Sequence, residues 1–275
     1  MYYNLKTKEI INEKQSSSLN FLYNTILGRL ALKIACTHLV ANTYAKYMNS
    51  KLSKHKIKKF IKNNNIDMSE YKETSYKSFN DFFMREIKKD KRIINDGLIS
   101  VCDSKLSVYK INECTSFKIK NSIYTVEELI QDKCSNYEYV LVFRLCVDDY
   151  HHYVFPDNGS VIKSKYIKGI LHTVQPIAFK KNKVFTENSR CVTYLNCDNL
   201  GNVCYIEVGA MMVGKIVNEK KENFKKGEEK GHFEFGGSTI ILLIEKGKVK
   251  INKTILENTK NNIETIVKLG DYIGG

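Results

Sequence analysis

From about residue 95 to the end, short apolar runs alternate with turn residues, and this pattern limits the fold more than any other feature. The runs are rich in Val, Ile, Tyr and Phe, as in "YVLVFRLCV", "GNVCYIEV" and "STIILLIE". Such runs between turn residues are typical of β-strands. One helix interrupts them, "TVEELIQDK", in which Thr125 and Glu128 have the spacing of a capping box. We therefore expect a largely antiparallel β domain over residues 95–275.

Residues 1–94 have a helical pattern instead. Between Ser18 and Tyr47, apolar side chains recur at steps of three and four residues, namely Leu19, Leu22, Tyr23, Ile26, Leu27, Leu30 and Ile34. A further helix is expected after Ser78, which is placed as its N-cap with Asp81 at the third position. A basic helical N-terminal segment followed by a largely antiparallel β domain makes the fold class α+β.

The first helical stretch could contact either a membrane or the core of the protein. Arg29 and Lys33 interrupt it, so no run reaches the ~18–20 apolar residues that a membrane-spanning helix needs. A basic amphipathic helix without acidic residues can lie in the membrane interface. The same pattern also suits a helix packed on its own core. The residues alone leave both arrangements open.

The chain is strongly basic, with 44 Lys and Arg against 30 Asp and Glu and a formal net charge of +14. Such an excess favours polyanionic partners, although a general preference for lysine would produce it too. No arginine-rich stripe with interleaved aromatic residues is present, so we expect no nucleic-acid partner.

The cysteines show no C-x-x-C spacing, and the first residues lack the basic and apolar regions of a secretory signal. We expect reduced, partly buried thiols, and no cysteine spacing supports a zinc site. The eight are Cys36, Cys102, Cys114, Cys134, Cys146, Cys191, Cys197 and Cys204.

Two glycines precede Ser238 at the start of a very apolar run, "FGGSTIILLIE". Glycines allow backbone conformations in which Ser238 Oγ lies beside the carbonyl carbon of Gly237. In that geometry the serine can attack its own preceding peptide bond, and the resulting ester can eliminate to dehydroalanine and hydrolyse to a pyruvoyl group. A tight turn or β-bulge explains the same residues and is the commoner arrangement.

His151 and His152 follow two aspartates in "DDYHHYVFP". Successive residues on a strand face opposite sides, so one of these histidines should point inward and the other outward. A histidine paired with a carboxylate is the recurrent device for activating a hydroxyl, and Ser238 needs such a base if it is a nucleophile.

Together with several other segments of the chain, these residues resemble the phosphatidylserine decarboxylase family. The segment "KKGEEKGHFEFGGST" is similar to its C-terminal signature, a K-G-x-E-x-G-x-F run followed by G-S-T. Further matches occur in the order of the family, from about residue 78 to residue 245. They are "SFNDFFMR", "DDYHHYVFP", "IKGILHTVQP", "TENSR" and "IEVGAMMVGKI".

The resemblance implies a proenzyme that cuts itself between Gly237 and Ser238. The products would be a β chain, residues 1–237, and an α chain, residues 238–275, which stay associated through a shared sheet. Ser238 would become a covalent pyruvoyl cofactor that forms a Schiff base with the amine of phosphatidylserine. The expected reaction is decarboxylation to phosphatidylethanolamine, with no metal required.

The resemblance also implies a catalytic set of Asp103, His151 and Ser238. His151, in the D-Y-H motif, would be the general base for self-cleavage, with His152 as a less favoured substitute. Many relatives carry a second histidine at the position of Val154.

The catalytic aspartate is identified by similarity to the family's P-x-D-G-K segment. "VCDSKLSVY" offers Asp103, followed by Lys105 and a strand, although Val101 and Ser104 replace the proline and glycine. Asp96 in "NDGL" is a rival that lacks the lysine. The expected role of Asp103 is to orient His151 and stabilise its protonated form.

A bilayer substrate favours membrane contact by the helical segment Leu19–Tyr47. We expect a peripheral protein on the cytoplasmic side of the cell membrane, bound to an anionic lipid surface. Two rivals remain: a pyruvoyl decarboxylase of another amino acid or serine lipid, and a non-catalytic membrane-surface protein in which G-G-S-T is a turn.

Overall fold

The structure is a computed structural model, and it describes residues 1–12, 17–112, 116–119, 122–133, 136–180, 182–211, 215–236 and 238–275. The described strands are β1 (Tyr2–Asn4), β2 (Ile10–Ile11), β3 (Leu98–Ile99), β4 (Ser104–Lys110), β5 (Ser116–Ile119), β6 (Ser122–Thr125), β7 (Tyr137–Leu145), β8 (His152–Val154), β9 (Gly159–Ile167), β10 (Arg190–Cys197), β11 (Gly201–Val208), β12 (Ile216–Asn218), β13 (Asn223–Phe224), β14 (Glu229–Phe233), β15 (Ser238–Glu245), β16 (Glu264–Val267) and β17 (Tyr272–Gly274).

The described helices are α1 (Ser17–Asn24), α2 (Ile26–Ala35), α3 (His38–Asn49), α4 (Lys56–Asn64), α5 (Phe79–Phe83), α6 (Val126–Ile130), α7 (Val184–Glu187) and α8 (Lys253–Lys260). With about 29% helix and 34% strand, the α+β prediction is confirmed. Two predicted caps are also confirmed. Ser78 accepts a hydrogen bond from the Asp81 amide at the start of α5, and Thr125 and Glu128 form a capping box on α6.

A ten-stranded sheet is the main layer, with the strand order β13-β9-β10-β11-β15-β7-β4-β16-β1-β2 among the described residues. Its pairs are antiparallel except for the parallel pair β1 and β16. β15 lies between β11 and β7, and its residues Ser238–Ile244 are buried. An apolar run without charge before Glu245 suits such a position, because both faces of a central strand are covered.

A three-stranded sheet, in the order β12-β14-β8, covers one face of the large sheet near β11. Lys230 of β14 reaches across to form an ion pair with the buried Glu207 of β11. Tyr153 of β8 packs on Tyr205 of β11, with their ring centroids 6.1 Å apart. These contacts place β8 and β14 directly over the middle of the large sheet.

The N-terminal helical region is divided by caps. Thr25 accepts a hydrogen bond from the Gly28 amide and Thr37 accepts one from the Val40 amide, so α2 and α3 each begin anew. Tyr23 and Leu32 pack into the main core. The apolar side chains on the opposite side of this helical region are 58–73% exposed, and they are Ile26, Leu27, Leu30 and Ile34. Most of the predicted apolar stripe therefore faces away from the core.

The first residues of the chain belong to the large sheet, which the sequence analysis did not anticipate. Tyr2–Asn4 pair in parallel with Glu264–Ile266 of the C-terminal region. The division into a region 1–94 and a region 95–275 stays a prediction. Among the described residues, no helix has both the length and the apolar character needed to cross a membrane.

Candidate functional site

Ser238 is the first residue of β15 and is fully buried. It lies opposite Leu145 of β7, and its Oγ forms no hydrogen bond with any described residue. Gly236, two positions earlier, has φ +140°, a conformation that favours glycine. Gly237, the other half of the predicted cleavage site, lies outside the described residues.

The side chain of Ser238 faces the small sheet. Glu207 and Ile240 are directly opposite each other on β11 and β15, so their side chains share one face. That face is the one covered by the small sheet, because Glu207 pairs there with Lys230. Ser238 is two residues before Ile240, and alternate residues of a strand share a face. The serine hydroxyl therefore lies between the two sheets.

His151 immediately precedes β8 and is also fully buried. Its Nδ1 is 2.9 Å from the Asp149 carbonyl oxygen. Since a carbonyl only accepts, Nδ1 carries the hydrogen and Nε2 keeps its lone pair. This Nε2 forms no hydrogen bond with a described residue. The ring is thus held in the tautomer that a general base requires.

Burial lowers the pKa of His151 to about 4, although the hydrogen bond to the Asp149 backbone opposes this shift. A buried imidazolium is costly because it loses its hydration. At neutral pH the ring is therefore uncharged, and its Nε2 can accept a proton.

Aromatic packing connects His151 with the segment that leads to Ser238. The ring of Phe83 lies 4.2 Å from the His151 ring and 5.1 Å from the Phe235 ring, measured between centroids. The Phe233 amide donates to the His151 carbonyl oxygen at 3.0 Å. The structure therefore places the predicted base and the segment that leads to the predicted nucleophile in one buried region.

Asp103 is buried immediately before β4, but its side chain contacts other residues than His151, the predicted partner. Its carboxylate accepts hydrogen bonds from Arg92 Nε at 3.0 Å, Arg92 Nη2 at 2.7 Å, Lys268 Nζ at 3.0 Å and the Leu269 amide at 2.8 Å. Burial would raise the pKa of Asp103, but the two cations lower it to about 2. The carboxylate remains ionised as the centre of a charged cluster.

No hydrogen bond joins Asp103 to His151, so the expected orienting contact is absent from this arrangement. The carboxylate is already occupied by two cations and an amide, and the Asp149 carbonyl orients the imidazole instead. A direct catalytic role of Asp103 stays a prediction. The rival Asp96 is exposed. Val154 lies buried on β8, where it adds no second base.

Asp149 is a site residue that the sequence analysis did not single out, although the D-Y-H motif contains it. Lys105 Nζ donates to both of its carboxylate oxygens, at 2.9 and 2.7 Å, and the Cys146 amide donates at 2.8 Å. Burial opposes ionisation, but Lys105 outweighs it and keeps the pKa of Asp149 below its usual range. This buried pair fixes the turn whose carbonyl orients His151.

A cavity of about 450 Å³ adjoins the site. Gly209 lines it and directly follows Val208, which pairs with Thr239 of β15, so the cavity begins one strand away from Ser238. α3 forms one wall, and Lys215 supplies a cation to the lining. Other lining residues include His38, Ala41, Leu171, Ser189, Cys191 and Asn218.

Comparison with known proteins adds an independent observation. The family model described as phosphatidylserine decarboxylase matches residues 79–275. "Phosphatidylserine decarboxylase proenzyme 2" of Clostridium acetobutylicum is 49% identical over 282 residues, covering 99% of this chain and 97% of that protein. The proenzymes of Fusobacterium nucleatum and Clostridium tetani are 42% and 41% identical, each covering 99% of this chain and 96% and 97% of those proteins.

Asp103→Asn should destabilise the fold, because it leaves Arg92 and Lys268 without their buried counter-charge. We expect a loss of about 3–5 kcal/mol in the free energy of unfolding at neutral pH. The folded-state pKa is below the unfolded value of about 3.9, so this contribution exists above pH ~4 and disappears as the pH falls through about 2.

Urea unfolding across this pH range measures the effect, with the exposed Asp90→Asn as the matched control. The difference between wild type and Asp103→Asn should shrink below pH ~4. A difference that is negligible at neutral pH, or constant down to pH ~2, contradicts the described charge cluster.

Proposed function

The chain belongs to the phosphatidylserine decarboxylase family, and from this premise we propose that it converts phosphatidylserine into phosphatidylethanolamine after cutting itself at Gly237–Ser238. The observation that carries the proposal is a pair of buried polar atoms, Ser238 Oγ and His151 Nε2, neither of which forms a hydrogen bond with a described residue. Buried polar groups without a partner are costly, and each calls for a physical explanation. A nucleophile and a neutral base are what self-cleavage needs.

In the cleavage step, Ser238 Oγ adds to the carbonyl carbon of Gly237 while His151 Nε2 takes the hydroxyl proton. The carbon–nitrogen bond then breaks, and the nitrogen leaves with a proton returned by His151. The product is an ester between Gly237 and the Ser238 side chain. Loss of the Ser238 α-proton expels the Gly237 carboxylate and leaves dehydroalanine. Water hydrolyses its imine tautomer, releasing ammonia and leaving the pyruvoyl group.

The position of Ser238 suits a residue that is converted into a pyruvoyl group. As the first residue of β15, it would become the N-terminus of the α chain while the strand stays paired with β11 and β7. The α chain is also held by the pairing of β16 with β4 and by the ion pair between Lys268 and Asp103. These contacts support lasting association of the two chains.

When present, the pyruvoyl group supplies a carbonyl that accepts the electrons released by decarboxylation. The protein contributes a buried position that excludes water and a base held at a defined place. We propose that His151 Nε2 takes up the proton that the substrate's ammonium group must release before it can react, and that it passes this proton to the substrate's α-carbon after decarboxylation. The cavity next to Ser238, with Lys215 in its lining, is our proposed pocket for the head group.

We also propose that the protein is peripheral and works on the cytoplasmic side of the cell membrane. The exposed apolar stripe of α2 carries Arg29 and Lys33 beside it, a combination that suits an anionic bilayer surface. Leu39 of α3 is 76% exposed, and its neighbour His38 lines the cavity. Lipid could therefore pass from the apolar surface to the cavity over a short distance.

The activity test uses purified protein and vesicles containing phosphatidylserine. Wild type and the control Ser160→Ala, in β9, should form phosphatidylethanolamine, whereas Ser238→Ala should form none because it has no hydroxyl to convert. Free serine, offered separately, tests the rival with a soluble substrate. Turnover of free serine with the lipid untouched would contradict the proposed substrate, and lipid turnover by Ser238→Ala would contradict the mechanism.

The self-cleavage rate should depend on pH through His151. Chains made in a short cell-free pulse and transferred to buffers of different pH should cut at a constant rate from pH ~8 to ~5.5. Below about pH 4 the rate should fall about tenfold per unit, since protonation removes the base. His151→Gln should remain uncut and the exposed His55→Gln should cut normally. A fall centred near 6.5, the value of an ordinary histidine, would exclude His151 as the base.

Membrane contact through α2 predicts weaker vesicle binding by Leu27→Gln/Leu30→Gln. A buried leucine contributes about 1.5–3 kcal/mol, so we expect at least about a tenfold loss of affinity for vesicles containing phosphatidylserine. Binding should also weaken as salt is raised. Leu52→Gln, at a position 75% exposed outside the stripe, is the matched control. Equal binding by the double variant and wild type would refute the proposed surface.

A further inference from the structure

His152, Glu229 and His232 form a cluster of metal-ligating side chains on the small sheet. His152 of β8 and His232 of β14 are directly opposite each other, and Glu229 lies three residues before His232 on the same strand. One ligand atom from each residue can be chosen so that all of them lie within 4.8 Å of one another. The cluster is next to His151 in sequence but plays no part in the proposed reaction.

The hydrogen bonding of His152 calls for a cation in this cluster. Its Nε2 is 3.0 Å from the Met84 carbonyl oxygen, so Nε2 carries a hydrogen and donates it. The lone pair of the neutral ring is then on Nδ1, which lies 2.8 Å from Glu229 Oε1. A lone pair and an ionised carboxylate oxygen repel each other unless a proton or a metal ion lies between them.

The surroundings hold the His152 ring in place and leave the cluster open. The ring is stacked between Tyr150 and His232, at centroid distances of 4.9 Å on each side. His152 is buried, whereas the side chains of Glu229 and His232 are 47% and 21% exposed. An ion could therefore reach the ligands from solvent and keep a water molecule as a further ligand.

We propose that His152 Nδ1, His232 Nδ1 and Glu229 Oε1 bind a divalent transition metal of the Zn²⁺ type. Two imidazoles and a carboxylate with a water molecule are a common zinc ligand set. A metal-bound histidine usually donates its other ring nitrogen to a carbonyl or carboxylate, and Met84 provides that carbonyl. The His232 Nδ1 is 3.8 Å from Glu229 Oε1, close enough for both to reach one ion.

The ion would join β8 to β14 immediately beside the base. β8 follows His151, and the Phe233 amide of β14 donates to the His151 carbonyl. The proposed ion therefore has a structural role and takes no part in proton transfer. A second cluster, Cys146, Asp148 and Asp149, is a weaker candidate because the Lys105 ammonium already neutralises Asp149.

The test is calorimetric titration of Zn²⁺ into the full-length protein after treatment with a chelator and its removal. Wild type should bind one equivalent per copy of the protein, since all three ligands lie within residues 1–237. His232→Ala and Glu229→Gln should each weaken binding at least about tenfold, because each loses a ligand. The control His55→Ala should bind as wild type does. Glu229→Gln replaces a half-exposed side chain of the same size, so it serves if His232→Ala fails to fold.

Co²⁺ titration separates this site from the cysteines. Binding at the cluster should give visible absorption bands that are lost in both ligand variants, without the intense near-ultraviolet band of cobalt–thiolate bonds. Absence of stoichiometric binding by wild type would overturn the proposal. So would unchanged binding in both ligand variants, or a dominant thiolate band. These readouts do not involve decarboxylation, so they stand or fall separately from the proposed function.

Discussion

The pairing of β15 on both sides is the constraint on which the rest of the site depends. Its apolar residues are buried between β11 and β7, so the strand cannot leave the sheet without exposing a large part of the core. Ser238 is the first residue of this strand, so the pairing of the strand on both sides also holds Ser238 in place. A residue that must remain in place after the peptide bond before it is cut gains most from such a position. Gly236, two positions before Ser238, has φ +140°, a backbone conformation that residues with a side chain rarely adopt.

Buried carboxylates around the site are paired with cations, whereas the two reactive atoms have no hydrogen bond to the part of the chain that the structure describes. Lys105 with Asp149, and Arg92 and Lys268 with Asp103, form ion pairs with almost no exposed surface on the carboxylates. Among the described residues, Ser238 Oγ and His151 Nε2 have no hydrogen-bond partner, which costs about 1–3 kcal/mol each. The ion pairs hold the turns in place, and the unpaired atoms remain available for chemistry.

Local patterns predicted much of this arrangement. The caps at Ser78 and Thr125 and the apolar strand after Ser238 depend on neighbouring residues, and they were found from sequence. The contacts between residues far apart in the chain were not predicted from the sequence. The parallel pairing of Tyr2–Asn4 with Glu264–Ile266 involves too few residues to leave a pattern. The Lys268 contact to Asp103 and the Glu229 contact to His152 join residues 165 and 77 positions apart, which no spacing rule could bring together.

The most direct test of the account is the intact mass of the purified wild-type protein beside Ser238→Ala. The account predicts two wild-type chains, residues 1–237 and a fragment beginning at residue 238 that is one ammonia lighter than simple hydrolysis gives. Ser238→Ala should remain a single uncut chain. A single uncut chain from both proteins would mean that the glycines only shape a turn, and would contradict the central claim.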